Sequence, residues 1–210
     1  NGGAKGGTKE VMIGDPDGLL IHIVDISYSR GAGRLGNESP ASSHAGEGLI
    51  QLRELNHCTL GISDAEKSKA FYQSSFKMPI EAYQGASAVY RIGRYGSIVL
   101  FPLSSDPAAA GLPPLIDHTC YAVEDYNFNV VRNSLSGYGL EDLGDTFRAK
   151  GPLQHYYTSR RPDRGGEPRG SFEIYFTDPD GSVFQLQDYN YCGGGGTNGE
   201  ICGTEENPSR

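Results

Sequence analysis

Hydrophobic positions along this chain switch between two periods. Alternating or continuous apolar runs predict strands near 54–62, 79–84, 86–92, 96–102, 115–123, 142–149, 171–177 and 182–188. Two stretches follow the helical period instead. Ser63 and Asp64 are capping residues ahead of a helix reaching about Phe76, with Ala65, Ala70, Phe71 and Phe76 roughly at helical spacing, and a second helix is predicted near 126–135, ending before Gly137. Strand, helix and three strands thus occur twice in order. That order predicts an α+β unit in which paired βαβββ motifs form a cupped mixed sheet with helices outside. The segment 151–170, bounded by glycines, reads as a long loop able to act as a lid over the cup.

Self-similarity sharpens the picture. Asp15-Pro16-Asp17-Gly18 recurs as Asp178-Pro179-Asp180-Gly181, from 15 to 178, an offset of 163. The register then holds without a gap: Asp25 matches Asp188, Tyr28 matches Tyr191, and Gly31, Gly33 and Gly36 match Gly194, Gly196 and Gly199. Each copy is a turn followed by an apolar strand, the closing hairpin of a domain. A full domain's length precedes the second copy's turn, but only 14 residues precede the first.

Composition excludes several functions. The net charge of -8 argues against a phosphate-backbone binder, because such affinity rests on clustered Lys and Arg. Arg160, Arg161, Arg164 and Arg169 do cluster, but beside Asp163 and Glu167, which reads as a solvated loop. The longest apolar runs, such as 98–101, fall far short of the roughly 20 residues a membrane helix needs. The chain opens at Asn1 with no initiator Met and no apolar signal segment, so targeting is inferred indirectly.

Three stretches carry a family resemblance. Leu55-Asn56-His57-Cys58-Thr59-Leu60 opens the first motif, Ile116-Asp117-His118-Thr119-Cys120-Tyr121-Ala122-Val123 opens the second, and the run from Tyr175 through Asp178-Pro179-Asp180-Gly181 to Gln185 and Leu186 closes it. Together they resemble the vicinal-oxygen-chelate superfamily of glyoxalases, bleomycin resistance proteins and extradiol dioxygenases. The resemblance implies a domain at 52–190, with 1–28 the closing hairpin of a preceding, mostly absent domain of the same kind, 29–51 a Gly/Ser-rich linker and 191–210 a Gly-rich tail.

It also implies a divalent metal held by His57, His118 and Gln185. Strand residues alternate faces, so His57 with Thr59, His118 with Cys120, and Gln185 with Gln187 each share one concave side. Imidazoles do not fix the metal, so Fe or Mn is expected for oxygen chemistry and Zn or Ni for Lewis-acid chemistry. Gln185 stands where the resemblance leads one to expect Glu, and a neutral amide oxygen leaves a bound metal more electrophilic. The position of a fourth glyoxalase ligand falls near Leu100, which cannot ligate. Tyr175 stands where extradiol enzymes carry a substrate-contacting tyrosine, and His155 is the nearest substitute for their acid/base histidine. His22 occupies the Gln185 position of the partial copy and reads as structural.

The expected function is therefore a ring-cleaving, dioxygenase-like enzyme acting on a small substrate with adjacent oxygens. The alternatives are a glyoxalase-like lyase or isomerase and a non-catalytic small-molecule-binding or structural protein. The partner is a small molecule, not nucleic acid or membrane, with a homo-oligomer or pairing with the missing N-terminal domain also expected. Cys192 and Cys202 bracket the Gly-rich tail, and both are serine in the first copy (Ser29 and Ser39). Paired replacement is what a disulfide predicts, hence a secreted or periplasmic location. Cys58 and Cys120 face opposite sides and are expected to stay unpaired.

Overall fold

A computed structural model describes residues 10–24, 48–93, 96–160 and 171–188. The chain divides into two compact units, 1–48 and 49–210. In the first, β1 (Val11–Gly14) and β2 (Leu20–Ile23) pair as an antiparallel hairpin. Its turn and the repeated turn of the second unit are built alike. The Asp15 carboxylate accepts from the backbone N–H of Asp17 at 2.9 Å and Leu19 at 2.8 Å, and the Asp178 carboxylate does the same for Asp180 and Ser182 at 2.9 and 2.8 Å. Gly18 and Gly181 take φ of 82° and 83°, a left-handed backbone that favours glycine.

The second unit is one mixed sheet of nine strands. These are β3 (Leu52–Ile62), β4 (Ile80–Gln84), β5 (Ser87–Ile92), β6 (Gly96–Pro102), β7 (Leu115–Val123), β8 (Glu141–Asp145), β9 (Gln154–Arg160), β10 (Ser171–Thr177) and β11 (Val183–Asp188). Their spatial order is β4-β5-β6-β3-β7-β11-β10-β9-β8. Helix α1 (Ala65–Phe76) follows β3 and α2 (Phe128–Tyr138) follows β7. Asp64 caps α1 by accepting from Lys67 N–H, and Asn127 caps α2 by accepting from Val130 N–H. The α+β arrangement of paired motifs is the one the hydrophobic pattern predicts.

The two motifs are related about the central β3/β7 pair. His57 lies opposite Cys120 and Thr59 opposite His118, so exchanging His57 with His118 and Thr59 with Cys120 reproduces the register. The exchange extends outward: β6 runs parallel to β3 as β11 runs parallel to β7, β5 corresponds to β10, and β4 to β9. Strand β8 is an extra edge strand.

Three expectations are corrected here. Residues 154–160 are not a lid but the strand β9, hydrogen-bonded to β10 on one side and β8 on the other. Arg160 is accordingly not in a solvated loop; it is 7% exposed at the end of that strand. Helix α2 runs through Gly137 and stops at Gly139, whose φ of 114° lets its N–H turn back to the Leu135 and Ser136 carbonyls. The other members of the basic cluster, and Cys192 and Cys202 with their expected disulfide, lie outside the described residues. Cys58 and Cys120 form no disulfide with each other, as expected.

The helices cover one face of the sheet. Val131 and Leu135 of α2 pack with Val123, Ile174 and Leu186, while Tyr72 of α1 packs on Tyr90. Gln185 and Tyr175 alternate with Leu186 and Ile174 and so face away from α2, into the cup. Among the described residues no helix is long and apolar enough to cross a membrane.

Candidate functional site

One row of directly paired residues crosses five strands on the cup face: His57, Cys120, Gln185, Tyr175 and Tyr156. His118 lies beside this row, its ring edge-on to Tyr175 with centroids 5.2 Å apart. Tyr175 stacks on Tyr156 at 5.0 Å with an 8° tilt. Above them is a cavity of about 150 Å³ lined by His57, Thr59, Val99, Asp117, His118, Arg148, Tyr156, Arg160, Glu173 and Tyr175 among others. That volume suits a small molecule.

The histidine pair is held by its immediate neighbours. Register shifts fall at Asn56 in β3 and at Asp117 in β7, the residue before each histidine in both cases. A bulge locally breaks the alternation of faces and re-aims side chains, so residues that would point to opposite sides come together. Asn56 Oδ1 stands 2.8 Å from His57 Nδ1, and Asp117 Oδ2 stands 2.7 Å from His118 Nδ1. Carboxylate and amide oxygens only accept, so both Nδ1 atoms donate. The two Nε2 atoms then face each other at 3.3 Å, and Thr59 Oγ1 reaches His118 Nε2 at 3.1 Å.

Asp117 is shared, because Arg148 also donates to it, at 2.8 Å to Oδ1. Burial alone would raise its carboxyl, but the His118 hydrogen bond and the charges of His118 and Arg148 outweigh that and hold it below the usual carboxylate range. Burial pushes the Tyr175 hydroxyl well up, so it stays protonated and donates to Glu173 Oε2 at 3.4 Å. Glu173 is in turn ion-paired with Arg160, and both are buried.

Gln185 is fully buried in the floor of the cup and does not border its open space. Its amide nitrogen donates to Gln187 at 3.3 Å, while its carbonyl oxygen is buried without a hydrogen-bond partner. Such an orphaned acceptor costs about 1–3 kcal/mol. Among the described residues no third His, Cys, Asp or Glu joins the histidine pair in a cluster that could hold a metal ion.

The internal symmetry corrects the fourth position. Gln185 pairs with Cys120 as Val99 pairs with Thr59, which makes Val99, not Leu100, its counterpart in the first motif. Leu100 is buried on the helix side. Valine offers no donor either.

His155 does not join the site. It alternates with Tyr156, so it faces α2, where its Nε2 meets Ser136 Oγ at 2.8 Å. Asp142 Oδ1 is 3.9 Å from its Nδ1, beyond hydrogen-bond range. This cluster ties α2 to β8 and β9. Burial holds the His155 pKa below its ordinary value, with Asp142 pulling the other way. The unfolded chain, with a histidine pKa of about 6.5, therefore binds more protons than the folded chain just below that pH, and stability falls as pH drops through it. In urea unfolding at about pH 7.5 and about pH 5.5, His155→Gln should lose less stability than the parent over that interval. An equal loss in both would refute this assignment. His22 lies in the first unit, exposed, with its Nε2 3.2 Å from Glu10.

Sequence reading missed Asn56, Asp117, Arg148 and Glu173. Two of these had a signal: an amide or acid stands directly before each histidine, in Asn56-His57 and Asp117-His118.

Fold and site together define a two-motif cup protein with a facing histidine pair at its symmetry centre. The chain belongs to the Glyoxalase/Bleomycin resistance protein/Dioxygenase superfamily, whose family model matches residues 54–186. Among solved structures it is similar to a methylmalonyl-CoA epimerase from Mycobacterium tuberculosis, at 16% identity and a TM-score of 0.46, covering 69% of this chain and 93% of that one. It is also similar to a xylose isomerase-like TIM barrel/4-hydroxyphenylpyruvate dioxygenase fusion protein, at 16% identity and a TM-score of 0.48, covering 83% of this chain and 32% of that one.

Proposed function

We propose that this chain is a metal-dependent enzyme in which His57, His118 and Gln185 hold a divalent cation that takes a small substrate through two adjacent oxygens. The observation that carries this reading is the pair of Nε2 atoms 3.3 Å apart, with each Nδ1 already committed to an acceptor. In neutral rings these are facing lone pairs, which repel. A shared cation reverses the sign: two nitrogens each at about 2.0–2.1 Å from one ion stand roughly 3 Å apart. Metal-bound histidines also characteristically donate their second nitrogen to a carboxylate or carbonyl, the role Asp117 and Asn56 fill. The orphaned Gln185 carbonyl oxygen suits the same purpose.

Bound there, the cation would supply Lewis-acid polarisation of a carbonyl. The donor set is neutral, so it leaves the ion's full charge to act on the substrate. This favours a glyoxalase-like lyase or isomerase using Zn or Ni. Glu173 is the cup carboxylate not committed to a histidine, and it is the candidate to take or return a proton, its place fixed by Arg160 and Tyr175. Tyr175, kept protonated, orients that carboxylate and walls the substrate space against His118.

A second reading is a ring-cleaving dioxygenase using Fe or Mn. Val99 favours it, because a position without a donor on β6 leaves His57 as the first motif's single ligand and the site with three donors and open positions. The amide at 185 weighs against it, as does the lack of a histidine besides the pair among the described lining residues.

Titration of divalent cations into chelator-stripped protein, with elemental analysis, tests the proposal. One ion per chain is expected, and Gln185→Glu should raise affinity by about tenfold or more by adding a charge to the donor set. A parent protein that retains no stoichiometric ion would sink both enzymatic readings and leave a non-catalytic binding or structural role.

A further inference from the structure

Two guanidinium groups line the cup, and they are used differently. Arg160 is buried against Glu173. Arg148, on the segment joining β8 to β9, keeps its side chain 27% exposed at the cavity wall, and its guanidinium lies 5.1 Å from the Phe147 ring, which also lines the cavity. A guanidinium carries five N–H donors in a planar fork. One of them goes to Asp117 Oδ1, while Nε is buried without a hydrogen-bond partner. Asp117 meanwhile gives its other oxygen to His118, so a single carboxylate divides its charge between an arginine and a histidine. Arg148 thus shares its carboxylate partner with a histidine and stands partly exposed at the edge of the space where substrate must sit.

The charge balance of the cup points the same way. Among the described lining residues, Asp117 and Glu173 offset Arg148 and Arg160. The two imidazoles and the Gln185 amide add no negative charge. Any divalent cation held by them leaves the cup two units positive, and such a site selects an anion over a neutral molecule of the same shape.

We infer that the substrate is a small 2-oxo- or 2-hydroxycarboxylate, and that Arg148 is the residue that reads its carboxylate. This rests on the proposed reading of the histidine pair. A carboxylate oxygen and the oxygen on the neighbouring carbon are adjacent oxygens, so the anion supplies the chelating pair itself. The free edge of the Arg148 fork donates to the remaining carboxylate oxygen, in the planar geometry that guanidinium and carboxylate share. Arg148 also braces Asp117 against His118, which makes substrate recognition continuous with the hold on the histidine.

Calorimetric titration of Zn-loaded protein with pyruvate, lactate and the neutral analogue hydroxyacetone tests this. The carboxylates should bind at least about tenfold more tightly than hydroxyacetone. Arg148→Gln should shrink that preference severalfold, the bound cation keeping the remainder, while elemental analysis still finds one Zn per chain, and Arg148→Lys, which keeps the charge but not the fork, should restore part of it. Equal binding of pyruvate and hydroxyacetone by the parent, or a preference unchanged in Arg148→Gln, overturns the inference with the metal reading intact. If no Zn is retained, the proposed function fails first, and the inference fails with it unless metal-free protein still shows a carboxylate preference that Arg148→Gln removes.

Discussion

Alanine at either His57 or His118 should lower divalent-cation affinity by well over the roughly 10–100-fold that loss of an outer-shell partner costs. Each substitution removes one of the three proposed donors, and the remaining imidazole with a neutral amide cannot hold an ion against water. Asn56→Ala and Asp117→Asn should fall within that 10–100-fold range, because they free the ring to rotate and change its tautomer without removing a donor. Competition against a chromophoric chelator ranks the four variants. The order decides the matter: first-rank losses at both histidines and smaller losses at their supports are the signature of a metal centre. If the double variant His57→Ala with His118→Ala binds the cation as the parent does, the pair is a buried polar contact of the sheet and nothing more.

The histidine pair was legible because two short motifs place each histidine alike in its strand, and alternation then puts both on one face. The bulges that finish the site were not legible. Strict alternation sends Asn56 and Asp117 to the opposite side, whereas the register shifts at those residues bring them beside the rings. The Leu100 expectation failed for a related reason. Anchoring the two motifs on their Gly-Ser steps slips the register by one residue, and one residue moves a side chain from the cup to the helix side.

Strand β9 was hidden by its own chemistry. It is covered on both faces, by the cup and by α2, yet its cup face carries Tyr156, Thr158 and Arg160 and its helix face carries His155 and Tyr157. No apolar–polar alternation results, and the glycine-rich flanks read as a loop. The polar cup face that obscured the strand is itself a mark of function, since Gln185, Gln187, Glu173 and Arg160 would otherwise be poor choices for buried positions.

Removing one member of the Arg160–Glu173 pair should be the most destabilising change in the cup. Both side chains are buried, at 6% and 4% exposed, so Glu173→Ala takes the ion-pair partner from a guanidinium that water barely reaches. The expected cost is about 3–5 kcal/mol, read from urea unfolding midpoints. The pair's net worth is another matter, because desolvating both charges cancels much of their attraction. Arg160→Met with Glu173→Leu should therefore recover most of the loss. Stability alone would then favour the apolar pair. If the double variant is as stable as the parent but no longer turns over or binds a cup ligand, the charges are kept for the site's chemistry and not for the fold. A Glu173→Ala protein within about 1 kcal/mol of the parent would show that Arg160 reaches solvent or another acceptor when its partner goes, and would remove the reason to assign this pair a fixed place in the cup.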